Sequence, residues 1–205
     1  MVDTARLLEE EDSFFNTGVA DVSGLWEKGP ITYLLKELGL RRDDLFIENG
    51  ARYIFREESI EARGLEEFIE VLSKKFPEEE ESIRRFFNDA EKAYEDCYLD
   101  VEAYGAPLPP EIIVKVFGAR KLVDYPGERP SFYRWLNKTY KEILDEYFET
   151  DELKTLLCAL LGYVGTEPGK TPTSSTLVAC VSYYLKGGYF PKGGAQRFAN
   201  TLKSD

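Results

Sequence analysis

Between Gly187 and Gly194 four glycines and a proline fall within eight residues, in the run Gly187-Gly188-Tyr189-Phe190-Pro191-Lys192-Gly193-Gly194. Backbone so rich in glycine must bend sharply or lie close to another group. After Gly194 the apolar residues Ala195, Phe198, Ala199 and Leu202 recur at helical spacing, which predicts a helix from about that point. A Gly-Gly turn feeding a helix start points free N–H groups outward, an arrangement suited to an anion or a polarised ligand atom. A tight connection that touches no ligand accounts for the same residues equally well.

Other chemistries are closed off by residue type. The chain has 0 histidines, which removes Ser-His and Cys-His nucleophile schemes, His-ligated metal sites and the commonest general base. Aspartate and glutamate are plentiful, yet none stands at a spacing that singles out an acid/base pair. The loop Gly165-Thr166-Glu167-Pro168-Gly169-Lys170-Thr171 imitates a phosphate loop but is one residue short of G-x-x-x-x-G-K-[ST]. It also sets Glu167 against the phosphate charge and Pro172 where the helix should begin. No G-x-G-x-x-G dinucleotide fingerprint occurs anywhere in the chain.

Composition bounds the rest. In 205 residues, 43% are hydrophobic, with 13 Phe, 13 Tyr and 2 Trp, enough for a substantial core. A net charge of −12 argues against a phosphate-backbone partner and so against nucleic acid. There is no signal-peptide pattern and no apolar run near membrane-spanning length, so the expectation is a cytoplasmic chain, at most peripheral to a membrane. Cys97, Cys158 and Cys180 are widely spaced and read as reduced, buried thiols.

The elements that must position the glycine segment follow from periodicity. Residues 1–12 read as a short polar helix or arm, and Ser13-Phe14-Phe15 as a brief strand ending in a turn at Gly18. Ile31 to Leu38 predicts a helix closed by Gly39. Asp44–Ile47 and Ala51–Phe55 are β-prone around a hairpin-like Glu48-Asn49-Gly50, with a second turn at Arg56-Glu57-Glu58. Gly64 opens a helix ending at Phe76-Pro77, and a longer one runs from Glu78 to about Asp100. After the breaker at 105–110, Ile112 to Phe117 suits helix or strand by pattern alone. Tyr125-Pro126-Gly127 and Pro130 predict a loop. Ser131 is expected to cap one long amphipathic helix reaching Tyr147, and Thr150 to begin a buried one reaching Leu161. The Thr173–Ser175 stretch is expected to cap a helix running to Tyr184.

The glycine segment resembles the G-x-Y-x-P-x-G-G motif of the phytoene dehydrogenase-like flavoproteins, which include carotenoid desaturases, carotenoid isomerases and retinol saturases. Phe15-Asn16-Thr17-Gly18, Gly29-Pro30 and Glu37-Leu38-Gly39-Leu40 are similar to an earlier pattern of the same family. Relatives often carry histidine two residues after that first glycine, where this chain has Ala20. The order of helices between these motifs is also the family's, and it favours a helix at Ile112–Phe117.

The resemblance implies an α+β fold, mostly α-helical with a small antiparallel sheet or hairpin, corresponding to the substrate-binding region of a larger flavoprotein. It divides the chain into an arm, 1–12, and a substrate-binding-type domain, 13–205, comprising 13–62, a helical layer 63–186 and a returning segment 187–205. The implied cofactor is FAD, held mainly by segments that this chain lacks or that a separate chain carries. The implied ligand is a hydrophobic isoprenoid or carotenoid-like molecule. Gly18, Ala20, Gly187, Gly188, Tyr189, Pro191, Gly193 and Gly194 are the residues expected near flavin or substrate. The chain alone is expected to be an internal fragment without activity, prone to self-association. The competing expectation is a non-catalytic, acidic helical interaction module.

Overall fold

A computed structural model describes residues 7–10, 13–16, 21–55, 58–99 and 110–203. The fold is α+β and mostly helical, with three two-stranded antiparallel ladders among the described residues. Strand β1 (Leu7–Glu10) pairs with β2 (Ser13–Asn16), β4 (Ala51–Phe55) with β5 (Glu58–Ala62), and β3 (Phe46–Asn49) with β6 (Gly188–Pro191).

The first of these corrects the helical alternative for residues 1–12, since Leu7–Glu10 is extended. A single helical turn is costly to nucleate, whereas pairing with β2 satisfies the backbone of both segments at once. The third ladder corrects the hairpin expected at Glu48-Asn49-Gly50. Strands β3 and β4 are consecutive but do not pair, and β3 instead meets the last strand of the chain in the register Phe46↔Pro191 to Asn49↔Gly188. Burial decides this, because the pairing closes a small core of Leu25, Leu35, Phe46 and Tyr189 that a local hairpin would leave open. Of the two turn signals the second is the one used, where Phe55 faces Glu58.

Helices α1 (Pro30–Glu37) and α2 (Arg42–Leu45) flank this small core. The main core lies under α3 (Leu65–Lys75) and α4 (Glu80–Cys97). On α4, Ile83, Phe86, Phe87, Ala90, Tyr94 and Cys97 recur at helical spacing and are all buried. The Phe86 ring sits 5.1–5.7 Å from those of Phe87, Trp135, Tyr147 and Phe148, a cluster contributed by three separate elements.

Beyond α4 come α5 (Pro110–Phe117), α6 (Arg120–Glu128), α7 (Pro130–Leu136), α8 (Tyr140–Tyr147) and α9 (Asp151–Leu157). Tyr125-Pro126-Gly127 is helical, not a loop. Pro126 lies near the end of α6, where only one hydrogen bond is forfeited and no side chain is fully buried. The long helix expected from Ser131 to Tyr147 is broken at Asn137-Lys138-Thr139. Thr139 and Glu142 form a capping box there, with Thr139 N–H 2.7 Å from Glu142 Oε2 and Glu142 N–H 3.3 Å from Thr139 Oγ1. Nor does Ser131 cap α7. Pro130 occupies the first helical position, and the Asp96 carboxylate accepts from Ser131 N–H (2.8 Å) and Phe132 N–H (3.2 Å).

The buried helix expected to reach Leu161 ends at Leu157 and continues as a 3₁₀ segment, Ala159–Tyr163. The next helical run starts as α10 (Thr173–Thr176), widens into a π-helical turn at Leu177–Val181 and resumes as α11 (Ser182–Lys186). Pro172 is its N-cap, and Thr173 is bonded away from the helix, its hydroxyl donating to Lys138 O at 2.7 Å. Strand β6 follows, then α12 (Ala195–Thr201), as the spacing after Gly194 predicts. Among the described residues no helix is long and apolar enough to cross a membrane.

Glu79, only 5% exposed, mirrors Asp96 at the other end of α4. Its Oε1 accepts from Glu149 N–H and Thr150 N–H, both at 2.8 Å, just ahead of α9. Glu79→Ala strands two backbone donors and should cost about 2–3 kcal/mol in urea denaturation, whereas Glu79→Gln, which keeps an acceptor oxygen, should cost less than half as much. Equal losses in the two variants would show that the carboxylate is not the group that matters.

Candidate functional site

The glycine-rich turn of the sequence borders a cavity of about 290 Å³, at the small end of the range for ligand pockets. Three structural features build it. The first is the pairing around β6. On one side β3 sets Asn49 opposite Gly188 and Glu48 opposite Tyr189. On the other, Val22 exchanges two backbone hydrogen bonds with Tyr189, both 2.8 Å. Asp21, next to Val22, is thereby brought to Gly188.

The second feature is the end of α11, which supplies Tyr183 and Tyr184. Gly187 ends that helix with φ of 72°, the left-handed region that favours glycine, and turns the chain into β6. The third is the surrounding wall of Tyr53 and Ala62 from β4 and β5, Gly64 and Phe68 at α3, and Leu160 and Tyr163 from the 3₁₀ segment. The rings are ordered. Phe68 and Tyr184 stack at 5.0 Å and 7°, Tyr163 and Tyr183 at 5.7 Å and 7°, and Tyr53 lies 5.2 Å from Phe68 and 5.5 Å from Tyr184.

The cavity therefore has an aromatic wall and an acidic end, Asp21 with Glu48 beside Asn49, and among the described residues no lysine or arginine lines it. Asp21 Oδ1 is buried and has no hydrogen-bond partner among the described residues. Burial raises the Asp21 pKa, and the nearby Tyr183 hydroxyl and Asn49 side chain only partly offset it. Burial, with the Asp21 charge adding to it, pushes the Tyr183 phenol up to about 12, so Tyr183 stays a neutral hydroxyl at physiological pH. Tyr53, Tyr163 and Tyr184 are raised by burial as well. The arrangement can accept a hydrogen bond from a ligand and stack against its flat or apolar body.

The sequence-derived site residues are dispersed. Gly187 and Gly188 line the cavity. Tyr189 is buried in the small core, with the Arg42 guanidinium 5.6 Å from its ring, and Pro191 pairs opposite Phe46. Gly193 (φ 78°) and Gly194 (φ 87°) make the turn into α12. Gly18 and Ala20 lie outside the described residues. Asp21, Asn49, Tyr53 and Tyr163 were not singled out by sequence reasoning. A signal for Asp21 did exist, an acidic residue inside the apolar stretch Val19-Ala20-Asp21-Val22.

The glycine segment does not form a dinucleotide cradle. A Cβ on Gly188 would lie 2.5 Å from Asp21 Oδ2, so an anion already fills the space that glycine leaves. A Cβ on Gly193 would meet Arg197 Cδ at 2.6 Å. The Gly194 N–H donates to Pro191 O at 2.9 Å, and the helix that follows is only 7 residues long. Among the described residues no group of His, Cys, Asp and Glu is arranged to hold a metal ion.

No protein-family model matches the chain. It is similar to all-trans-retinol 13,14-reductase from Danio rerio (25% identical over 137 residues), Rattus norvegicus (26% over 136) and Homo sapiens (27% over 142). Each alignment covers 66% of this chain and 21% of the relative, so the chain matches about a fifth of the length of these distant homologues.

Two expectations follow from the site's geometry. Because Asp21 has a raised pKa, its carboxyl binds a proton more tightly in the folded state. That contribution to stability is present at low pH and is lost as pH rises through the window above its ordinary value of 3.8. Asp21→Asn should therefore match the native chain in acid and exceed its melting temperature at pH 7. A native chain that stays the more stable at pH 7 would contradict this. Gly188→Ala should cost about 1–3 kcal/mol through the collision with Asp21. In an Asp21→Ala background the share due to the carboxylate should disappear and the closer approach to Tyr183 Cε1, 3.1 Å, should remain, a coupling that thermal denaturation of the four chains measures.

Proposed function

We propose that this chain is the substrate-binding region of an FAD-dependent oxidoreductase, a desaturase, saturase or isomerase acting on isoprenoid or carotenoid-like molecules. The observation that carries the reading is the similarity to three all-trans-retinol 13,14-reductases along two thirds of the chain. The cavity supports it, since stacked aromatic faces suit a conjugated or apolar body.

FAD would supply hydride or electron transfer at carbon–carbon bonds. The glycine segment does not fit its dinucleotide, so this reading assigns FAD binding to polypeptide beyond these 205 residues, in the same chain or a partner. What these residues contribute is orientation and water exclusion. The ladder of Val22, β6 and β3 fixes one end of the cavity, and the Phe68–Tyr184 and Tyr163–Tyr183 stacks form its wall. Neutral phenols there can donate hydrogen bonds without carrying charge.

Titrating the chain with all-trans-retinol while following retinol fluorescence and quenching of Trp26 and Trp135 tests the reading. Saturable one-to-one binding is expected, weakened at least about tenfold by Tyr184→Ala, which removes a stacking face. Non-saturable partitioning, indifferent to that substitution, would overturn the assignment. FAD added to the same chain should keep its free visible spectrum, and a tight stoichiometric complex would contradict the placement of the cofactor elsewhere.

A further inference from the structure

We propose that Tyr163 is the gate of the cavity, a ring that swings off Tyr183 to admit a ligand and then folds back over it. The inference rests on the reading that this cavity takes an isoprenoid, and adds how such a molecule gets in.

The rim singles the residue out. Among the described residues that line the cavity, Glu48, Gly50, Gly64 and Tyr163 are the exposed ones. Two of these have no side chain, and Glu48 ends in a carboxylate that favours water. Tyr163 is thus the one ring at the mouth. It is 58% exposed, whereas Phe68 and Tyr184 on the inner wall are 2% and 3% exposed.

The inner rings are fastened and the outer one is not. The Tyr184 hydroxyl donates to Leu157 O at 3.4 Å while its ring lies on Phe68. The Tyr163 hydroxyl has no hydrogen-bond partner among the described residues, and its ring rests on Tyr183 at 5.7 Å and 7°. A stack of that kind is weak enough to leave the ring displaced roughly a tenth to a third of the time. The backbone beneath it is pinned, since Leu161 O accepts from Val164 N–H at 3.0 Å and Gly165 N–H at 2.9 Å. The side chain is therefore the moving part, and no loop has to open. A Cβ at Gly162 or Gly165 would meet nothing within 4 Å, so the flanking positions leave room for the turn.

Stopped-flow mixing with all-trans-retinol, read by its fluorescence, gives both rate constants for the native chain, Tyr163→Ala and Tyr163→Phe. Loss of the ring should raise the association rate about 3- to 10-fold and the dissociation rate by a similar factor, so that Kd stays within about threefold. Tyr163→Phe keeps the ring and should match the native chain in both rates. Faster dissociation alone, with weaker binding, would mark Tyr163 as a fixed wall and overturn the gate. Unchanged rates in Tyr163→Ala, or a Tyr163→Phe chain that behaves like it, would overturn it as well. In each of these cases the isoprenoid reading stands. If the native chain binds no retinol, that reading and the gate fall together.

Discussion

The site depends on one pairing, that of the last strand with two segments from the first quarter of the chain. Strand β6 receives β3 along one edge and Val22 along the other, so a segment near the C-terminus becomes the middle of a three-part ladder. Remove it and Asp21 has no reason to approach Gly188, and Glu48 and Asn49 lose their place at the cavity rim. The ladder is held by backbone bonds and by the burial of Phe46 and Tyr189, and its short length leaves little redundancy. Loop-closure entropy for so distant a contact has to be offset by that small core together with the larger one against which it stands.

The larger core supplies a frame through α4. Its buried face carries the aromatic cluster around Phe86, and carboxylates at its two ends organise the starts of other elements. Glu79 gathers the N–H groups ahead of α9, and Asp96 gathers those opening α7. Both helix starts lack a side-chain cap of their own, so a distant carboxylate takes the role that a local serine or threonine usually has. The frame thus fixes helix ends as well as faces.

Most of the helical layer could be read from the sequence, because buried faces repeat every three to four residues. That repeat locates α1, α3 and α12 within a residue or two, and α4 within three. It fails where a cap overrides it, as at Thr139, since Phe132 to Tyr147 keeps a helical rhythm across a true break. It fails again at Pro126, where the breaker signal is outweighed by position near a helix end. The pairing of β3 with β6 has no local signature, because the partners lie about 140 residues apart. The density of glycine was legible and its reason was not. Positive φ explains Gly187, Gly193 and Gly194, but Gly188 is explained chiefly by a carboxylate whose own position needed the ladder to be known, with the Tyr183 ring crowding it as well.

The widened turn at Leu177–Val181 has a separate consequence. A π turn holds one more residue than the α-helical turn it replaces, and each residue advances a helix by about 100°. Tyr183 and Tyr184 lie just after it, so the face they present is fixed by a count of residues as well as by their identity. Loss of a single residue in that turn would swing both rings away from their stacking partners with no tyrosine altered. Alignments of related chains would record this as a gap, not a substitution, and a gap at 177–181 is where divergence in ligand choice should be sought.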